Sequence, residues 1–259
     1  MSSLTKMLSM LDFFSIDKAT WSPEDLIAET GLSRPTGYRY LKELCDSGLL
    51  RRAENGYSLG PRIIEMDYYI RQSDRLLIAC QPVMSRLAQE TGCNILLASI
   101  YGVRILAVHQ EQGELACPVA YGRGRPMPLF RGGGSKVILA ALSPARHKRL
   151  YESYAAEIAE AGLGDTWKAF RAQMLKIQHE GHVISVGQLD PDAAGAAVPL
   201  YTGTSLEPAA LILVTTRSRF ALTDQARLIE LMKNSARQIE LASSRDNAAG
   251  LVSPHHPVQ

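Results

Sequence analysis

The chain has 259 residues, 46% of them hydrophobic and 21% charged, with a formal net charge of +2. That is the composition of ordinary globular domains, and at this length two of them are expected. Near-neutrality excludes a bulk basic field as the means of holding nucleic acid, so any such binding must come from local charge placement. No apolar run approaches the roughly 18 residues of a membrane span. Lys6 lies in an amphipathic run without a signal-peptide core, so the expected location is cytoplasmic. Cys45, Cys80, Cys93 and Cys117 lack the spacing of a zinc or redox motif and read as free buried thiols. No metal and no cofactor is expected.

Residues 4–16 read as a helix with Leu4, Leu8, Leu11 and Phe14 or Ile16 on one stripe. Ser22 caps a second helix, Pro23 takes its first position, and Gly31 ends it in the left-handed conformation. Ser33 caps a third helix. Its spacing turns Tyr40, Leu41 and Leu44 toward a core and Arg34, Thr36, Tyr38, Arg39 and Lys42 outward. This is helix-turn-helix grammar, with the later helix as the candidate reader of a DNA major groove. Asn55-Gly56 then lies between two strand-like runs, a strong hairpin signal, and Arg51 and Arg52 make that hairpin a basic wing.

Phosphate contacts supply affinity to DNA and base-edge contacts supply selectivity. The candidate DNA-binding residues are Ser33, Arg34, Thr36, Tyr38, Arg39 and Lys42, with Arg51 and Arg52 on the wing. Arg39 is the candidate for a bidentate guanine contact. Glu24, Asp25 and Glu29 would repel phosphate, so the helix that carries them is expected to lie back from the duplex.

Pro61 opens a helix over residues 62–77 that serves as a connector, a dimer contact or a plain spacer. Pro82 breaks or restarts it, and an amphipathic helix follows to Gly92. Two β-like runs, 94–100 and 103–109, flank Tyr101-Gly102; residues 117–121 suggest a third strand. Gly132-Gly133-Gly134 then turn into an apolar helix. Helices over 144–154 and 165–180, strands over 182–186, 193–201 and 209–215 with a hairpin at 202–204, and a helix over 224–244 complete the chain. Hairpins mixed with separate helices indicate an α+β fold, an antiparallel sheet flanked by helices. The expected organisation is a winged helix-turn-helix domain over 1–60, a connector helix over 61–80, a second, α+β domain over 81–246, which the resemblance described below implies to be effector-binding, and a frayed tail over 247–259.

The glycine run at a helix start offers backbone amides to an acceptor oxygen. A Walker A loop is excluded, because Ser135 stands where the glycine before Lys136 is required. There is no Gly-x-Ser-x-Gly elbow and no metal spacing among the six histidines, so catalysis is not expected.

Three stretches together resemble the IclR family of bacterial transcription regulators, over roughly residues 4–246. They are residues 31–50 (GLSRPTGYRYLKELCDSGLL), Pro128-Leu129 through Lys136 to Leu139-Ala140, and Glu180-Gly181-His182-Val183 through Asp190-Pro191 to Ala197-Val198-Pro199-Leu200. The resemblance implies a winged helix-turn-helix and a C-terminal domain of GAF or profilin type. It also implies double-stranded operator DNA as partner, a homodimer that can pair into a tetramer, and an effector at the glycine run. The expected effector residues are Leu96, Ala98, Gly133, Gly134, Ser185, Leu213 and Thr215.

Several positions depart from the family pattern. Phe130 replaces a histidine, Ser135 a glycine, and Gly187-Gln188 an acidic pair; Ser185 replaces an acid, and Leu213 and Thr215 stand where small hydroxyls are usual. These changes remove charge and polarity, so the expected effector is a small aromatic or hydrophobic acid with its carboxylate on the glycine amides. The expected function is a sequence-specific regulator, a repressor rather than an activator, controlled by a catabolic-pathway acid. The alternative is a metabolite-binding protein or enzyme whose helix-turn-helix serves protein contacts.

Overall fold

The computed structural model describes residues 2–115, 117, 122–201 and 207–249. The 118–121 part of the expected third strand, the hairpin at 202–204 and the tail from 250 lie outside the described residues. The chain divides into two compact units, Met1–Asp74 and Arg75–Gln259.

The first unit opens with α1 (Ser3–Leu8), followed directly by a 3₁₀ turn, Ser9–Phe13. This differs from the single helix read over 4–16. A 3₁₀ turn carries three residues per turn instead of 3.6, so the apolar stripe rotates. Leu4, Leu8 and Ile16 are exposed, and Met10 is the residue driven into the core. Next come α2 (Pro23–Thr30), α3 (Arg34–Asp46) and the strands β1 (Leu50–Ala53) and β2 (Gly56–Leu59). Met10, Trp21, Leu26, Ile27, Tyr40, Leu41, Leu44 and Leu50 form one core between them. Burial of these side chains from water, at about 1.5–3 kcal/mol for each large one, is the main force holding the unit together.

The unit ends in α4 (Arg62–Ser73), which buries no residue. The helix stops at Asp74, well before Pro82. Ser73 Oγ donates to the Tyr69 carbonyl at 2.8 Å, and Asp74 is extended at φ −74°, ψ 102°. Ser and Asp side chains compete for backbone groups, so a Ser-Asp pair ends a helix readily. Pro82, the expected breaker, lies inside α5 (Arg75–Thr91) on its exposed face, where water can satisfy the carbonyl that its ring leaves without a donor.

The second unit is built on β3 (Asn94–Tyr101), β4 (Arg104–Glu111), β5 (Pro126–Met127), β6 (Val183–Val186), β7 (Ala193–Leu200) and β8 (Ala209–Thr216). The sheet order is β5-β4-β3-β8-β7-β6, with every neighbouring pair antiparallel. Among the described residues five helices accompany it after α5: α6 (Gly133–Ala140), α7 (Pro144–Glu160), α8 (Trp167–Glu180), α9 (Arg217–Leu222) and α10 (Gln225–Ala249).

The sheet is covered on both faces, which is why β3 and β8 read as nearly unbroken apolar runs. Odd-numbered residues of β3 and β8 (Ile95, Leu97, Leu211, Leu213) join side chains of α5 and α10 in one core. Even-numbered ones (Leu96, Ala98, Ala210, Ile212) join α6, α7 and α8 in the other.

Candidate functional site

In the first unit, α2 is capped by Ser22, whose Oγ accepts from the Asp25 amide at 3.1 Å. Gly31, at φ 63°, makes the turn into α3 without the steric cost a side chain would meet there. The two helices touch at Gly37: a Cβ placed there would stand 2.4 Å from Ile27 Cγ1. Only a hydrogen at this position lets α3 lie so close to α2.

Helix α3 presents Arg34, Tyr38 and Lys42 as a stripe at four-residue spacing. Arg39 lies beside them, and all four are exposed; Ser33 is exposed and Thr36 half-buried. Ser33 does not cap α3 as expected. Its hydroxyl donates to Thr36 Oγ1 at 3.0 Å, so no side chain accepts from the first-turn amides of α3. Those amides and the helix dipole remain available to an anion.

Tyr38 was expected to donate to DNA, but its hydroxyl donates to Glu24 Oε1 at 2.6 Å. That hydrogen bond holds the Glu24 carboxyl below its ordinary range and pushes the Tyr38 phenol up. The Arg39 guanidinium stands 5.6 Å from the Tyr40 ring centroid.

On the wing the two arginines part, because successive strand residues face opposite ways. Arg51 Nε donates across the hairpin to Ser58 Oγ at 3.1 Å. Arg52 shares the face of buried Leu50 and comes near enough to α3 to act on the Cys45 thiol. Trp21 docks the hairpin as a third edge, exchanging two backbone hydrogen bonds with Tyr57 at 3.0 and 2.8 Å.

In the second unit the glycine run lies directly on the sheet. Gly132 adopts φ 85°, a conformation a side chain rarely takes, and α6 begins at the next residue. A Cβ on Gly134 would stand 2.2 Å from Ile212 Cδ1, and one on Gly133 would stand 3.3 Å from Ser185 Oγ. Ser135, fully buried, donates its hydroxyl to the Pro128 carbonyl at 2.7 Å and fixes the approach to the turn.

Beside this helix start is a cavity of about 50 Å³. Of the expected effector residues, Leu96, Gly133, Gly134 and Ser185 border it. Leu213 also borders it, but its side chain packs into the core against α5 and α10. Ala98 lies further along β3 and Thr215 shares the Leu213 face, so neither lines it. The reason is the two-residue alternation of a strand: Ile212 and Val214, not Leu213 and Thr215, face α6.

The cavity's remaining border includes Met127, Gln188, Leu189 and Asp190, none of which the sequence reading selected. Asn94 is a further missed polar group on the Leu96 face. It is 1% exposed, its Nδ2 donates to the Cys117 carbonyl at 2.7 Å, and its Oδ1 has no protein partner among the described residues.

The buried imidazole of this unit is structural. His147 is 1% exposed, with Nε2 2.6 Å from the Leu139 carbonyl and Nδ1 3.1 Å from Arg171 Nη1. A carbonyl only accepts and a guanidinium only donates, so Nε2 carries the proton and Nδ1 accepts. Burial lowers the pKa of the ring, the charge on Arg171 lowers it further, and the Leu139 contact opposes both. Among the described residues no group of three or more His, Cys, Asp or Glu could hold a metal ion. No helix among them is long and apolar enough to cross a membrane.

A winged helix-turn-helix with an exposed basic recognition face, followed in the same chain by a sheet domain with a glycine-edged pocket, defines a ligand-responsive DNA-binding regulator. The family description "Bacterial transcriptional regulator IclR C-terminal" matches residues 69–241, and "IclR helix-turn-helix domain" matches residues 3–54. The chain belongs to the IclR family; it is a transcriptional regulator with an effector-binding domain, not an enzyme.

It is 26% identical over 246 residues to the HTH-type transcriptional regulator XynR of Escherichia coli K12, covering 94% of this chain and 96% of that protein. The fold matches the crystal structure of an IclR regulator from Silicibacter with TM-score 0.75 and 18% identity, covering 93% of this chain and 96% of that one. It also matches an IclR homolog from Microbacterium hydrocarbonoxydans complexed with 4-hydroxybenzoate, with TM-score 0.73, 20% identity and coverage of 94% and 100%.

Proposed function

We propose that the protein represses transcription as a cytoplasmic homodimer on a near-palindromic operator and is released by a small aromatic or hydrophobic acid. The observation that carries the DNA assignment is the exposed stripe Arg34, Tyr38 and Lys42 with Arg39 beside it, on a helix whose first amides no side chain occupies. Arg39 reads base edges, Arg34 and Lys42 take phosphates, and Ser33 and Thr36 lie where the helix N-terminus meets the backbone. Arg51 on the outward face of the wing adds a phosphate contact; Arg52, turned back toward α3, adds less. Glu24 holds Tyr38 in place and keeps α2 away from phosphate.

The dimer reading rests on α4 and α1. Ile64, Tyr68, Tyr69 and Ile70 on α4 are all more than half exposed, as are Leu4 and Leu8 on α1. Large exposed apolar side chains in this number supply the material of an association face. A tetramer through the second unit extends the same reading.

The effector reading rests on the cavity. Its walls are mostly apolar, with Ser185, Gln188, Asp190 and the α6 amides as polar points, the general make-up of a small-molecule site. Its 50 Å³ holds no aromatic ring as it stands, since an apolar cavity that takes benzene measures about 150 Å³. An aromatic acid therefore enters with an outward movement of the cavity border. The complex of the Microbacterium homolog with 4-hydroxybenzoate supports an acid of this size.

Fluorescence anisotropy on DNA from upstream of the protein's own gene tests the reading. Nanomolar binding is expected in the presence of competitor DNA, weakened by 4-hydroxybenzoate or a close analogue. Response only to polar oxoacids would overturn the effector class. Equal affinity for random DNA would overturn the operator assignment.

A further inference from the structure

Three consecutive residues of the β6–β7 loop, Gln188, Leu189 and Asp190, border the cavity across from the start of α6. The loop is a preformed turn. The Gly187 amide donates to the Ala193 carbonyl at 2.9 Å, the Ala193 amide to the Asp190 carbonyl at 3.1 Å, and the Asp192 amide to Asp190 Oδ1 at 2.9 Å. Its base is tied to the sheet by the Arg217 amide, which donates to the Asp192 carbonyl at 2.7 Å.

Its attachment to α6 is different in kind and rests on two side chains. Leu189 lies against Gly132, where a Cβ would come within 2.8 Å of Leu189 Cδ1. Gln188 Oε1 accepts from the Gly132 amide at 3.2 Å and from Lys136 Nζ at 3.0 Å.

Lys136 makes that second contact unusual. It is partly buried, and among the described residues no carboxylate pairs with it. Its ammonium faces a neutral carboxamide, and burial lowers its pKa. A partly desolvated cation held by a neutral acceptor gains when a carboxylate replaces it, because a hydrogen bond with both partners charged is stronger than one with a neutral acceptor.

We infer that Gln188 is a built-in stand-in for the acidic group of the effector: its carboxamide oxygen occupies the Gly132 amide and the Lys136 ammonium, holds the loop shut over the pocket, and gives up both donors when an acid binds. Exchange of carboxamide for carboxylate favours an acid over its neutral amide, and the displaced loop opens the small cavity to a ring. The inference rests on the acid reading under Proposed function, and the experiment below separates the two.

Hydrogen–deuterium exchange is measured on the full chain, as wild type, Gln188→Ala and Gln188→Glu, with and without 4-hydroxybenzoate and 4-hydroxybenzamide. Without ligand, Gln188→Ala is expected to speed exchange of the 187–193 and 130–134 amides by about tenfold, the scale of one or two lost hydrogen bonds, leaving β7 and β8 unchanged. Gln188→Glu is expected to slow the same amides and to weaken 4-hydroxybenzoate binding at least tenfold, because its own carboxylate keeps Lys136. Wild type is expected to bind the acid in preference to the amide, with faster exchange at the loop.

Unchanged loop exchange in Gln188→Ala would overturn the closing role. Undiminished acid binding by Gln188→Glu would overturn the stand-in role. If neither probe binds any form, the acid reading fails, and the ligand-free exchange still decides whether Gln188 closes the loop.

Discussion

Gly37→Ala tests the packing on which the recognition helix depends. The added methyl would meet three atoms of one side chain, Ile27 Cγ1, Cδ1 and Cγ2, at 2.4, 2.7 and 2.9 Å. Ile27 is 3% exposed in the core between α2 and α3, so it cannot swing into water. Overpacking of this kind costs about 1–3 kcal/mol. Alanine in a helix gains about 1 kcal/mol over glycine, so the net expectation is a loss of up to about 2 kcal/mol. For a unit of this size each kcal/mol lost lowers the Tm by roughly 4–8 °C.

Trp21 lies in the same core and reports it by fluorescence once Trp167 is replaced by phenylalanine. The decisive comparison adds Ile27→Ala, which alone costs about 2–5 kcal/mol. In that background the clash is gone, and Gly37→Ala should stabilise by up to about 1 kcal/mol. The sign of the Gly37 effect should therefore reverse. An equal loss in both backgrounds would refute the idea that helix approach at Gly37 is what matters.

Arg39→Ala should lower operator affinity by about tenfold or more and leave random-DNA affinity nearly unchanged, as befits a base-edge contact worth about 1–3 kcal/mol. Arg51→Ala should weaken both and flatten the salt slope by about one unit, with Arg52→Ala doing less; salt-titrated anisotropy separates the three. Gly134→Ala should abolish the transcriptional response to effector, read with a reporter gene, because the methyl would stand 2.2 Å from Ile212 Cδ1 at the cavity wall.

His147 is held neutral in the fold, so its pKa lies below that of the unfolded chain. Its stabilising contribution is full above the unfolded value of about 6.5 and is lost as pH falls toward the folded value. The Tm should therefore drop between pH 7 and pH 5, and His147→Gln, less stable at pH 7, should show a shallower drop. Parallel profiles would exclude His147 as the titrating group.

Much of the first unit was legible because its signals are local. The Ser22 cap, Pro23, the left-handed Gly31 and the Asn55-Gly56 hairpin each constrain the backbone within a few residues, and together they outlined a winged helix-turn-helix. The outward set on α3 followed from a period of 3.6 residues. The fates of its members did not. Tyr38 is taken by Glu24, fourteen positions away, and Ser33 turns to Thr36 in place of the helix amides. Strand alternation alone sends Arg51 and Arg52 to opposite faces, but only the burial of Leu50 shows which of them turns back toward α3.

The same division holds for the pocket. Glycines before an apolar helix are a local sign of a tight turn, and Gly133 and Gly134 stand at the cavity border. Which strand face meets them is set by sheet order and by burial of both faces, and an apolar run covered on both sides carries no alternation to read. Leu213 and Thr215 were therefore expected where Ile212 and Val214 stand.

What the sequence determined was the set of elements, their capping and the basic character of one helix, all products of short-range backbone and charge preferences. Only the tertiary structure decided how Gln188 meets Lys136, 52 positions earlier, over the start of α6, because that contact exists only after β6 and β7 have paired and brought their loop back to the glycines.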